Sequence, residues 1–167
     1  MPNFLNITLR GPLAVASVMT RGRTSPRRIG EAIGFDLPEV PCATFSGDRT
    51  VIGTGPGAWL VIDDSASPDF AELLRERLAG LASVSDQSGA YVIHRLTGAG
   101  ARTLLQRGAA IDFHPDNFTT GSAATTVIAH IGVVLWQVDE QPSYEVATLR
   151  SFAVSFRHWL DKSATVL

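Results

Sequence analysis

The 167-residue sequence has a single cysteine, Cys42, so no intramolecular disulfide can form and a cysteine-rich zinc site is excluded. No window approaches the run of about 20 apolar residues that crosses a bilayer. The first residues lack the basic and then apolar pattern of a signal peptide, because Arg10, Pro12 and the small residues of 11–19 break the apolar stretch. A soluble, cytoplasmic protein without a membrane partner is expected. Excess positive charge is also missing. The net charge is −2 and the pI near 6.0, where a nucleic-acid binder would present a basic domain. Charge of either sign is scarce at 18%, against about 25% in ordinary soluble proteins, while 45% of the residues are hydrophobic. That balance excludes disorder throughout and leaves apolar surface for burial against another chain.

One domain, or two small fused halves, is the expectation at this length, with about 69% of the unfolded surface buried on folding. The charge is unevenly placed. Residues 1–30 carry Arg10, Arg21, Arg23, Arg27 and Arg28 and no acid, so the remainder sums to −7. Arg21, Arg23, Arg27 and Arg28, set among Gly22, Ser25 and Pro26, read either as a solvated loop or as an arm that docks on an acidic neighbour. The chain therefore divides into an N-terminal strand and basic arm over 1–42 and a body over 43–167, the two forming a single domain.

Hydrophobic periodicity predicts a strand over Leu13–Met19 and mostly loop from there to about Pro41. Thr50–Gly53 and Ala58–Ile62 read as strands joined by the Gly55-Pro56-Gly57 turn. Ser67 is placed to cap a helix that carries Pro68 at its first position and Phe70, Leu73, Leu74 and Leu78 on one face, until Gly80 stops it. Strands follow over Ser83–Asp86 and Ala90–Leu96. Next comes a helix through Ala101, Leu104 and Leu105, for which Gly108 offers a left-handed end. A loop spans 109–121. Ala123–Ala129, Val133–Val138 and Tyr144–Thr148 read as strands, and Phe152, Phe156, Trp159 and Leu160 mark a final helix.

Thr50-Val51-Ile52 echoes Thr126-Val127-Ile128, each opening a strand that precedes a tryptophan strand, with Trp59 and Trp136. A duplication accounts for the echo, as would shared burial constraints. Strands in twos and threes predict α+β architecture with antiparallel sheets faced by helices.

Several segments carry the residue types of chemistry without completing a site. Gly98-Ala99-Gly100 lies between a strand and a helix, where backbone N–H groups can hold phosphate, but Thr103 stands where a third glycine would be. Close packing of the helix is the structural alternative. Asp112-Phe113-His114-Pro115-Asp116 offers oxygen and nitrogen ligands suited to zinc or iron. His94, His130 and His158 show no pairing that would complete a shell, so Asp112 and His114 read as fasteners of a loop stiffened by Pro115. There is no Gly-x-Ser-x-Gly elbow, Cys42 lacks a catalytic context, and Asp63-Asp64 fits a helix start. No catalytic, cofactor-binding or metal-binding residue is assigned.

Taken in order, Gly55-Pro56-Gly57-Ala58-Trp59-Leu60-Val61, Leu96-Thr97-Gly98-Ala99-Gly100-Ala101-Arg102-Thr103-Leu104-Leu105 with Gly108, Ile111-Asp112-Phe113-His114-Pro115, and Arg150-Ser151-Phe152-Ala153 with Trp159-Leu160 form a pattern. It resembles the gamma subunit of heterotetrameric sarcosine oxidase over roughly residues 50–160. The resemblance implies a noncatalytic assembly subunit of an enzyme that oxidatively demethylates sarcosine to glycine. FAD, FMN and NAD would lie in partner alpha and beta subunits, and tetrahydrofolate would be used by the complex. It also implies duplicated antiparallel sheet-and-helix units like the folate-binding domain of aminomethyltransferases. Gly98, Gly100, Gly108, Asp112, His114 and Pro115 would be its structural motif, and Arg21, Arg23, Arg27 and Arg28 a partner contact. Ala109 stands where the family commonly has cysteine, which sets a thiol role aside. A standalone folate-binding one-carbon transferase of the same fold is the alternative, and a nucleotide binder through Gly98 and Gly100 a third.

Overall fold

The apolar runs and turn residues organise into ten strands and four helices, in a computed structural model that describes residues 4–167. In chain order these are β1 (Asn6–Leu9), β2 (Ala14–Thr20), α1 (Pro26–Ile33), β3 (Ala43–Ser46), β4 (Arg49–Gly55), β5 (Ala58–Asp63), α2 (Phe70–Arg77) and β6 (Ala82–Asp86). There follow β7 (Tyr91–Thr97), α3 (Gly100–Gln106), β8 (Ala123–Ile128), β9 (Ile131–Asp139), β10 (Ser143–Leu149) and α4 (Ala153–Ala164), the last preceded by a single 3-10 turn. Two compact units result. One is Gly11–Gly89; the other joins the described residues through Arg10 to Ala90–Leu167.

Each unit is a five-stranded antiparallel sheet with two helices. The strand order is β3-β4-β5-β2-β6 in Gly11–Gly89 and β8-β9-β10-β7-β1 in the other unit. The orders superpose strand for strand, with β2 matching β7, β3 matching β8, β4 matching β9 and β5 matching β10. The fold is α+β and duplicated. The fifth strand differs in origin: β6 follows α2 in its own unit, whereas β1 comes from the N-terminal residues and pairs with β7, Asn6 opposite Thr97 and Leu9 opposite His94. This corrects the echo read in the sequence. Thr50-Val51-Ile52 belongs to β4 and Thr126-Val127-Ile128 to β8, yet the topology matches β4 with β9. Shared strand chemistry produced an alignment one strand out of register.

In Gly11–Gly89, Ala16 and Val18 of β2, Val51 of β4, and Trp59 and Val61 of β5 face Ile29 and Ile33 of α1 and Phe70, Leu74 and Leu78 around α2. The Trp59 indole N–H donates to the Pro38 carbonyl at 2.7 Å, which satisfies its one polar atom inside this core. In the second unit, Leu96, Leu135, Tyr144 and Val146 of the sheet meet Leu104 and Leu105 of α3 and Phe156 and Leu160 of α4.

Two helix ends differ from the sequence reading. The segment expected to be mostly loop contains α1, which is built by its caps: Ser25 Oγ accepts from the Arg28 N–H at 3.4 Å, Pro26 opens the helix, and Gly34 closes it at φ 75°. Only Ile29 and Ile33 mark its buried face with large apolar side chains, too sparse a pattern for periodicity to detect. Conversely, Ser67 is not the side-chain cap of α2. Its carbonyl accepts the Phe70 N–H at 3.2 Å, so a backbone turn over Pro68-Asp69 does that work and α2 starts later. Ser25→Ala is expected to lower the unfolding free energy by about 1 kcal/mol or less, measured as a shift in denaturant midpoint at unchanged slope. An unchanged midpoint would contradict this account of how α1 begins.

Candidate functional site

The Asp112–Asp116 motif lies between α3 and β8 and is organised by one buried side chain. Phe113 is fully buried, its ring 5.1 Å from Phe118 and 5.9 Å from Tyr144. Asp112 and His114 point away from that core and tie the loop. The Asp112 carboxylate accepts the His114 N–H at 2.9 Å and the Asn117 amide, and these bonds hold its pKa below the usual carboxylate range. The His114 carbonyl accepts the N–H groups of Asn117 at 2.9 Å and Phe118 at 2.8 Å, while His114 Nδ1 accepts that of Asp116 at 3.3 Å. Among the described residues, no group of three or more His, Cys, Asp or Glu has the geometry to hold a metal.

The Gly98–Gly100 junction is similarly occupied by protein. Gly98 takes φ 102°, which lets β7 turn directly into α3. The Gly100 N–H, an anion donor in the phosphate reading, donates to the Phe4 carbonyl at 2.7 Å. A Cβ on Gly100 would stand 2.6 Å from the Phe4 ring, so the missing side chain makes room for protein. Gly108 also differs from expectation. It is absent from the positive-φ positions, and a Cβ there would lie 2.4 Å from the Trp159 indole and 2.7 Å from Ile128. Close approach of α4 and β8 is what this glycine permits, rather than a left-handed helix end.

The arginines of the arm are not equivalent. Arg21 donates to Ser83 Oγ at 2.9 Å, and Arg27 pairs with Glu31 at 2.9 Å along α1. Arg23 and Arg28 are exposed and make no ion pair or side-chain hydrogen bond with the described residues. Of the four, Arg27 lines a groove of about 790 Å³ between α1, the segment that follows it, and β3.

Two charged clusters were not identified as such from the sequence. Glu145 is buried in β10 and ion-paired with Arg10 and, at 3.5 Å, with Arg95. An acid inside the apolar run 144–147 was the available signal, since a buried charge requires partners. Asp63, first of the Asp63-Asp64 pair, accepts from Arg49 at 2.8 Å and from the Ser65 N–H at 2.9 Å. Burial pushes its pKa up, but the Ser65 and Arg49 contacts outweigh it and the net shift is downward. Arg49 in turn lies over the Phe35 ring at 5.1 Å.

His94 is buried in β7, edge-on to Phe156 at 5.5 Å, and its Nδ1 meets no hydrogen-bond partner among the described residues. Burial, and then the nearby Arg157, hold its pKa below that of ordinary imidazole, against an opposing pull from Asp161. The unfolded chain therefore takes up a proton here, near pH 6.5, before the folded chain does. Stability falls as pH drops through that value towards the folded pKa. His94→Leu is expected to flatten the fall in denaturation midpoint between about pH 7 and 5.5. An undiminished slope in the variant would place the titrating group elsewhere.

The architecture is that of the aminomethyltransferase fold: aminomethyltransferase T of the glycine cleavage system from Bartonella henselae is similar with a TM-score of 0.71 at 9% identity, over 94% of this chain and 45% of that one. A chain of heterotetrameric sarcosine oxidase from Corynebacterium sp. U-96, solved with pyrrole 2-carboxylate, is similar with a TM-score of 0.87 at 25% identity, over 96% of this chain and 84% of that one. Residues 24–166 match the sarcosine oxidase, gamma subunit family, and the chain belongs to it. Sarcosine oxidase subunit gamma of Corynebacterium sp. (strain P-1) is 33% identical over 139 residues, covering 79% of this chain and 66% of the relative. That of Arthrobacter sp. is 27% identical over 146 residues, covering 86% and 71%. The chain thus spans about two thirds of the length of these curated relatives.

Proposed function

We propose that this chain is a noncatalytic assembly subunit of a cytoplasmic heterotetrameric sarcosine oxidase, in which alpha and beta subunits carry out the demethylation of sarcosine to glycine. The observation that carries the reading is the fold shared over 96% of the chain with a chain of such a complex. Its own chemistry-bearing residues support it: Asp112, His114, Asp63 and the Gly98–Gly100 backbone are all engaged in bonds that hold loops and turns. FAD, FMN and NAD belong to the partner subunits in this reading, and tetrahydrofolate accepts the one-carbon unit within the complex. Val154, 83% exposed beside Phe152 at the start of α4, leaves apolar surface for a partner to cover. Arg23 and Arg28, with Arg21 and Arg27 beside them, offer a cationic contact.

A tagged chain coexpressed with candidate alpha and beta subunits is expected to copurify with both. Titration of the lone chain with tetrahydrofolate separates the alternative: saturable tight binding by the chain alone favours a folate-dependent transferase and contradicts the assembly reading.

A further inference from the structure

The sheet of Gly11–Gly89 ends at β3, and no strand of the described residues pairs with its outer edge. The β3–β4 hairpin pairs Ser46 with Arg49, Phe45 with Thr50, Thr44 with Val51 and Ala43 with Ile52 around Gly47-Asp48. In an antiparallel ladder closed by a two-residue turn, Ser46 and Thr44 exchange bonds with the partner strand, and Phe45 and Ala43 direct their N–H and C=O groups outward. The Gly53 N–H to Cys42 carbonyl bond, 2.9 Å, continues that alternation. No turn, loop or cap bond from another described residue reaches the backbone of Ala43 or Phe45. The matching edge in the second unit is treated differently: Ala109, arriving after α3, forms a β-bridge with Ile128 of β8. One copy of the duplicated fold supplies its own cover at this position and the other leaves it for something else.

The groove along β3 indicates what that is. Its lining includes the carboxylates of Glu31, Asp36 and Glu39, all exposed, and a single cation, Arg27, already paired with Glu31. Phe45, 44% exposed, and the half-buried Phe35 supply apolar surface between the charges. We infer that an extended segment of a partner polypeptide, carrying basic side chains flanking an apolar one, adds to β3 as a sixth strand of this sheet. Backbone bonds to Ala43 and Phe45 give the affinity of such strand addition, and side-chain pockets give its selectivity. A second copy of this chain fits poorly. Two-fold pairing of β3 with β3 would set both groups of carboxylates against each other, and like charges across an interface disfavour association. The inference rests on the assembly reading and names the edge and the partner chemistry.

The test uses the full chain with coexpressed alpha and beta subunits. Phe45→Pro removes an outward N–H, at a position where an edge strand tolerates proline, together with the apolar ring beside it, and the triple variant Glu31→Lys, Asp36→Lys, Glu39→Lys reverses the groove's charge at exposed sites. Circular dichroism checks that both fold. Each is expected to weaken binding to the larger subunits tenfold or more, and the amides of Ala43 and Phe45 are expected to exchange hydrogen more slowly in the wild-type complex than in the lone chain. Two folded variants that bind within twofold of wild type, with no added protection at these amides, overturn the β3 assignment and leave the assembly reading intact. Loss of self-association in Phe45→Pro with binding to the larger subunits unchanged assigns the edge to a second copy instead. A wild-type chain that binds neither subunit overturns both.

Discussion

Phe113→Ala is expected to destabilise the protein by about 3–5 kcal/mol, the range for deleting a buried aromatic ring, whereas His114→Ala in the neighbouring position should stay within about 0.5 kcal/mol. The contrast follows from where the two side chains go. Phe113 is fully enclosed with Phe118 and Tyr144, and its removal leaves a cavity that two aromatic neighbours cannot close without leaving their own contacts. The His114 side chain is 61% exposed, and the bonds its backbone makes survive the substitution. Denaturant unfolding of the two variants measures the difference directly. Were His114→Ala the more damaging change, the motif would have a role beyond holding its loop on the core.

Gly108→Ala is expected to cost about 1–3 kcal/mol, as overpacking of a well-filled core does. The substituted methyl group would meet the Trp159 ring and Ile128 well inside contact distance. Trp159 cannot simply retreat, because it stacks on Phe156 at 5.9 Å. The Gly108 backbone lies outside the positive-φ region, so the cost is steric and a second substitution can relieve it. Trp159→Leu in the Gly108→Ala background should therefore cost less than the two single changes added together, a coupling that a double-mutant cycle reads. Strict additivity would show that the glycine is required for its conformation and not for the approach of Trp159.

What the sequence disclosed depends on how each element is specified. Strands such as β5, with the run Ala58–Asp63 almost wholly buried, and helices such as α4, with Phe156 and Leu160 four apart, carry their burial in their composition. The elements that escaped notice are short and held by partners distant in sequence. β1 is mostly exposed and exists because β7 lies beside it, 85 residues away at Leu9 and His94. β3 is half of a tight hairpin whose residues are largely exposed. α1 depends on its caps, and the same Ser-Pro and glycine signature that marks it was placed on α2, where Ser67 serves through its carbonyl alone. At the candidate site, the glycines and the Asp-x-His-Pro loop were legible as residues but not in their reasons. The contacts that explain them come from Phe4, Trp159 and Tyr144, which no local pattern brings near. The outer edge of β3 was invisible for the same cause, since an edge is defined by which strand fails to arrive.

In the proposed assembly role the chain packs against larger, flavin-bearing partners and performs no chemistry of its own. The most direct test of that role is sarcosine-dependent peroxide production, followed together with the mass of the assembly, for alpha and beta subunits prepared with and without this chain. The account predicts one stable four-chain particle that is active when the chain is present, loss or marked instability of that particle when it is omitted, and no turnover by the chain alone. Turnover of sarcosine by the isolated chain, or an equally stable and active assembly formed without it, would contradict the account.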